Sequence, residues 1–274
     1  MRRTRLSLHS VRASALLLLS VVAPAGAQTI VPLNTGYNHA VFTPYGPAGI
    51  PSVIKDNYWI NIASYPPTAP PVAPSWVLPV SPSWVPAFPN TRWIGARNTT
   101  SSPPGTSVQN PAYSIFRKCF CLLPNFKNAS LKFQVRADDQ IQVWFNTVLN
   151  VALPPTVGNW SGSPLSSKPS APNWFRVGMN CIYVLVEDTG GHMGFDMAGT
   201  IQADGLSPLP AFGVDRTFDC PCRDSAQVVQ GSGARAQDVR ARVADEDQRI
   251  VSEIIRIAQE RRLRRTQTPR LQRR

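Results

Sequence analysis

The sequence has little charge and almost no histidine. Asp, Glu, Lys and Arg make up 16% of its 274 residues, and it holds three His. Outside the first 27 residues only His39 and His192 remain. Neither is accompanied by a Gly-x-Ser-x-Gly element, so a hydrolase built on a serine nucleophile has no visible start. No apolar stretch after the first reaches the roughly 18 residues a membrane-crossing helix needs. The body also lacks a dominant charge. The chain carries +12, but four arginines lie in residues 1–27 and seven in 261–274, which leaves residues 28–260 at about +1. A general affinity for polyanions is not implied, and nucleic acid is not an expected partner.

What is present at the start is a secretion leader. Arg2, Arg3, Arg5 and Arg12 precede an apolar run from Ala13 to Val22. Pro24-Ala25-Gly26-Ala27 then supplies small residues at the positions a signal peptidase reads. Residues 1–27 read as a cleavable signal peptide, and the mature protein is expected to be secreted or periplasmic with no transmembrane segment. No Cys follows the apolar run, so lipid attachment is not expected.

Residues 28–218 read as one β-sandwich domain. Leu131, Phe133 and Val135 alternate with Lys132, Gln134 and Arg136. The same period of two recurs over 141–146, 182–186 and 193–198, and earlier over Tyr58–Ile62 and Tyr113–Leu123. Such alternation marks half-buried strands. Asp138-Asp139, Pro154-Pro155 and Thr189-Gly190-Gly191 read as turns between them. The Pro-rich stretch 66–89 is expected to stay out of the central strands and to pack through Trp76 and Trp84. A second loop, 156–172, carries Trp160. Residues 219–233 read as a Cys-containing linker. Residues 234–265 have apolar residues at helical spacing, among them Val243, Ile250, Ile254 and Ile257, and predict an amphipathic helix. Residues 266–274 read as a disordered basic tail. The fold class expected is mainly β: a jelly-roll, galactose-binding-like antiparallel β-sandwich with a C-terminal α-helix.

The five cysteines include two Cys-x-Cys pairs. In an extended strand, residues i and i+2 face the same way. Cys119 and Cys121 are therefore expected to form two rungs of disulfide with Cys220 and Cys222, in either register, in an oxidising compartment. A four-Cys zinc site is the weaker alternative, because its usual spacing is wider. Cys181 is then left as a buried thiol, an intermolecular bridge or a third member of the cluster.

The order of short motifs resembles a known group. Asn34-Thr35-Gly36, Asp56-Asn57-Tyr58-Trp59, Thr91-Arg92-Trp93-Ile94, Phe116-Arg117-Lys118-Cys119-Phe120, Ala137-Asp138-Asp139, Val143-Trp144-Phe145-Asn146 and Thr189-Gly190-Gly191 follow one another over residues 30–204. This succession is similar to that of bacterial exported proteins with a galactose-binding-like β-sandwich, many of which carry PEP-CTERM sorting tails. The resemblance implies a jelly-roll sandwich and an extracellular, often carbohydrate- or surface-associated role. The chain differs in lacking the sorting tail and a Gly after Asn146, and in adding the Cys-x-Cys pairs and the basic helix.

Three residues stand out as ligand candidates. Trp84 and Trp160, in long loops, would offer flat faces to sugar rings. Asp139, at a strand–strand turn, is the third ligand-binding candidate. With Asp138 it could hold calcium, but the plainer reading is a turn that caps backbone amides, so no metal and no cofactor are expected. Asp139, Glu187 and Asp188 are the carboxylates a glycan hydrolase would need, yet nothing in their spacing selects a pair. The function expected is therefore non-enzymatic binding of glycan or an anionic envelope surface. The alternative is a structural protein that forms homo-oligomers through the helix at 234–265, and the third reading is the hydrolase.

Overall fold

The structure is a computed structural model that describes residues 29–38, 43–44, 54–67, 72–107, 110–206 and 233–271. The leader, Cys220, Cys222, most of the linker and the last three residues of the tail lie outside the described residues. The chain is mainly β, an antiparallel sandwich with a single C-terminal helix. Its strands are β1 (Thr29–Pro32), β2 (Tyr37–Asn38), β3 (Thr43–Pro44), β4 (Lys55–Tyr65), β5 (Ala73–Val77), β6 (Ile94–Gly95), β7 (Ala112–Asp138), β8 (Gln140–Phe145), β9 (Thr147–Val157), β10 (Leu165–Ser166), β11 (Gly178–Asp188) and β12 (Gly194–Leu206). The helix, α1, runs from Gly233 to Leu271 and so includes part of the stretch read as a tail.

One strand belongs to both layers. The first half of β7 pairs with β4 and β11, with Phe116 opposite Val184. Its second half pairs with β12 and β10, with Val135 opposite Met197. Residues 123–130 between the halves are largely exposed, and Asn128 takes a positive φ of 54°. The inward parity changes across this stretch: Phe116, Phe120 and Leu122 face the core before it, Leu131, Phe133 and Val135 after it. A strand can change face only where its period of two is interrupted.

Between the layers lies the main core, with Trp59, Phe116, Phe145, Val184, Phe195 and Met197 at its centre. A buried acid–base pair, Asp56 and Lys118, sits within it. Asp56 accepts from the backbone N–H groups of Gly36 at 2.7 Å and Tyr58 at 2.9 Å. Lys118 Nζ lies over the rings of Trp59 and Tyr58. Burial lifts the Asp56 carboxyl and lowers the Lys118 amine, each opposed by the other's charge.

Three expectations about elements change. Pro154 and Pro155 do not form a turn but lie inside β9, the last strand of its sheet, where missing N–H groups break no central ladder. Pro74 enters β5, a short strand opposite Ile60. The disulfide of Cys119 is made with Cys181, not with Cys220 or Cys222. The two are direct partners in the β7–β11 ladder, with Cα atoms 4.1 Å apart, so register places the sulfurs together. Cys121 is also disulfide-bonded.

Part of the helix's apolar stripe packs on the chain's own sheet. Ile250, Ile254 and Ala258 are buried against Tyr113, Ile115, Cys119, Trp144, Cys181, Tyr183 and Leu185 on the outer face of the first layer. An isolated helix of this kind is marginal in water, and packing against its own sheet supports it. The basic end is likewise engaged. Arg261 and Arg265 both pair with Glu187, at 3.0 and 2.9 Å, and Arg262 lies over the Tyr65 ring at 4.0 Å. Among the described residues no helix is long and apolar enough to cross a membrane.

Candidate functional site: an acidic cluster at one end of the sandwich

The β7–β8 turn and the β11–β12 loop meet because β8 and β11 are neighbours, with Gln140 opposite Glu187. Asp138 and Asp139, joined by a cis peptide bond, occupy the turn. Asp188 ends β11, and Thr189-Gly190-Gly191-His192 forms the loop. Gly190 and Gly191 have φ of 129° and 99°, backbone that L side chains rarely adopt. The loop is tied down by Ser102 N donating to Gly191 O at 3.1 Å and Met193 N donating to Thr100 O at 2.7 Å.

Each carboxylate has a fixed partner. Trp84 Nε1 donates to Asp138 Oδ2 at 2.8 Å. Thr189 donates to Asp139 Oδ2 through its N–H at 2.7 Å and through its hydroxyl. Gly190 N donates to Asp188 Oδ1 at 2.8 Å. Asp188 is fully buried, its Oδ2 makes no hydrogen bond of standard geometry, and the Ser102 hydroxyl lies beside it. Asp138 is buried as well, whereas Asp139 is half-exposed.

The electrostatics follow from this crowding. Burial, with Asp139 beside it and Asp188 near, pushes the Asp138 carboxyl up to about 8, against the opposing pull of the Trp84 N–H. Asp188 is raised chiefly by burial and also by Asp139; the Ser102 hydroxyl, the Gly190 N–H and His192 pull the other way. The charges that act on Asp138 are both negative. His192 stands at the edge of the cluster, its ring 6.0 Å from Trp84 and its Nδ1 without a partner.

The ligand candidates are brought together, but not in the expected roles. Trp84 is no exposed stacking platform. It is 5% exposed, stacks on Trp93 at a centroid distance of 4.2 Å, and holds Asp138 from behind. Gly194 makes room for it, because a Cβ there would meet the Trp84 ring at 2.8 Å. Trp160 is half-buried in the same small cluster, and its carbonyl accepts from Val85 N at 3.1 Å. Asp139 keeps an accessible position. Glu187 is taken out of any acid pair with Asp139 by its two arginines on the helix side. Ser102, which sequence reasoning passed over, reaches the cluster through the bridge between Ser101 and His192, a long-range pairing no local pattern announces.

No protein-family model and no curated protein sequence matches the chain. Among solved structures, the PA14 domain of MpAFP antifreeze protein is similar over 42% of this chain and 68% of that one, at 14% identity and a TM-score of 0.20. A likeness of that size bears on neither the fold nor the function of this chain.

Proposed function

We propose that the protein is a non-enzymatic exported β-sandwich that binds glycan through a divalent cation, calcium by its chemistry, held at Asp138 and Asp139. The observation that carries this reading is the unbalanced charge of the cluster. Three carboxylates interact, Asp138 is raised to about 8, and a buried Asp188 oxygen has only the Ser102 hydroxyl beside it. Such a group must keep a proton or gain a cation. Calcium takes six to eight oxygen ligands, from carboxylates, carbonyls and neutral hydroxyls. Among the described residues no three His, Cys, Asp or Glu side chains already converge as a metal centre. Backbone carbonyls and the vicinal hydroxyls of a sugar would complete the shell, which makes the cation a bridge to the ligand. The Cys119–Cys181 disulfide suits the oxidising compartments in which exposed glycans occur.

The test is retention of the full chain on a panel of immobilised neutral sugars at pH 8, in calcium and in EDTA. The reading expects retention on at least one sugar in calcium, release by EDTA, and loss of retention in Asp139→Asn. Retention that survives EDTA, or no retention on any sugar in calcium, rejects it.

A further inference from the structure

The outer face of the second layer carries a groove that lies apart from the acidic cluster. Its volume is about 570 Å³, within the range that holds a ligand of two or three sugar units. Lys132 and Gln134 from β7, Thr200 from β12, and Ser166, Lys168 and Ser170 from the strand and loop beyond β9 line it. None of its lining residues is acidic.

The groove is built rather than a gap between loose segments. The 166–170 wall is fixed to β7 and β9 by side-chain and backbone bonds. Ser170 Oγ accepts from Leu131 N at 3.0 Å and Ser167 Oγ from Phe133 N at 3.1 Å. Ser167 N donates to Phe133 O at 3.0 Å, and Lys168 N to Ala152 O at 2.8 Å. Gly199 keeps the floor low, because a Cβ there would meet the Lys132 carbonyl at 2.5 Å.

Its cations are unspent. Lys132 and Lys168 are exposed, and among the described residues no carboxylate pairs with either. Arginines of the helix face, by contrast, are committed to Glu187, Glu253 and Glu260. Two ammonium groups over a floor of hydroxyl and amide groups suit an anion that also carries many hydroxyls. We propose that this groove binds a short segment of acidic polysaccharide, with sugar carboxylates at Lys132 and Lys168 and ring hydroxyls at Gln134, Ser166 and Thr200. This site does not depend on the calcium reading. Attraction between exposed charges is screened by salt, so its affinity falls as ionic strength rises.

Isothermal titration of the full chain in EDTA tests it, with trigalacturonate as ligand, maltotriose as neutral control and tripolyphosphate as a non-sugar anion. The expected result is saturable binding of trigalacturonate alone, weakened at least tenfold in Lys132→Glu/Lys168→Glu and by raising salt, and unchanged in Asp139→Asn. Absence of binding, equal binding by the double variant, equal binding of maltotriose, or tripolyphosphate bound as tightly as the sugar acid would each overturn it. Working in EDTA separates this outcome from failure of the calcium site.

Discussion

The two outer faces of the sandwich are built to opposite ends. The first layer is covered: Tyr183, Leu185, Trp144 and the Cys119–Cys181 bridge lie under Ile250, Ile254 and Ala258 of α1, and Glu187 is held by two arginines. The second layer is open: Lys132, Gln134 and Thr200 face a groove, and its lysines have no acidic partner among the described residues. The strand β7 supplies residues to both. The lesson is that alternation along one strand does not fix what its outward residues meet. On the first face they are core; on the second they are available to a ligand.

The covered face is the more costly of the two to disturb. Replacing both cysteines of the Cys119–Cys181 bridge by Ala removes a link across a separation of 62 residues, and is expected to cost about 4 kcal/mol in the chain-entropy account. Urea unfolding with and without reductant measures it. Ile254→Ala follows at about 3 kcal/mol, from a fully buried site. Hydrogen exchange along 245–265 is expected to speed up in that variant. Lys132→Ala, on the open face, is expected to change stability by less than about 0.5 kcal/mol; equal costs for the two would erase the contrast. Glu187→Gln lies between, at about 1–2 kcal/mol, because Arg261 and Arg265 lose their carboxylate but are partly exposed.

The acidic end adds a pH dependence that neither face shares. Asp138 is raised from 3.8 to about 8. Between those values the folded chain keeps a proton that the unfolded chain has released, so stability falls as pH rises through that window. Asp138→Asn stays neutral, flattens that slope and is expected to be more stable than the parent at pH 8 in EDTA. Denaturation at pH 5 and pH 8 checks this, and an unchanged slope would place the raised carboxyl elsewhere. Lys118 acts in the other sense. Its amine is lowered by burial, so above its folded value the unfolded chain holds the extra proton and stability rises with pH until the ordinary lysine range. The smallest effect is expected from Arg256→Ala, whose pairs with Glu253 and Glu260 lie at the surface of the helix; its unfolding curve should overlay the parent's.

Much of the sandwich was legible because hydrophobic alternation is local. The expected strands at 131–136 and 182–186 lie within β7 and β11, those at 141–146 and 193–198 match β8 and β12 to within one residue, and the helix near 234–265 lies within α1. What could not be read depends on residues far apart in the chain. The Cys119–Cys181 bond follows from β7–β11 register, which Cys-x-Cys spacing does not encode. The helix found its partner in its own sheet because β11 is apolar on both faces, a property that alternation over 182–186 conceals. Asp139 was picked out as part of a turn, but its proximity to Asp188 needs β8 and β11 side by side. Trp84 looked exposed because prolines surround it; its ring is instead spent on Trp93 and Asp138.

Thermal unfolding of the full chain at pH 8, titrated with calcium from an EDTA-treated start, addresses the acidic cluster directly. A specific site predicts a rise in stability that grows with the logarithm of calcium once the site fills, about 2.7 kcal/mol at a hundredfold excess over the dissociation constant, which magnesium does not reproduce and Asp139→Asn abolishes. A melting temperature that ignores calcium, or rises equally in the variant, would contradict the proposal that Asp138 and Asp139 hold a cation.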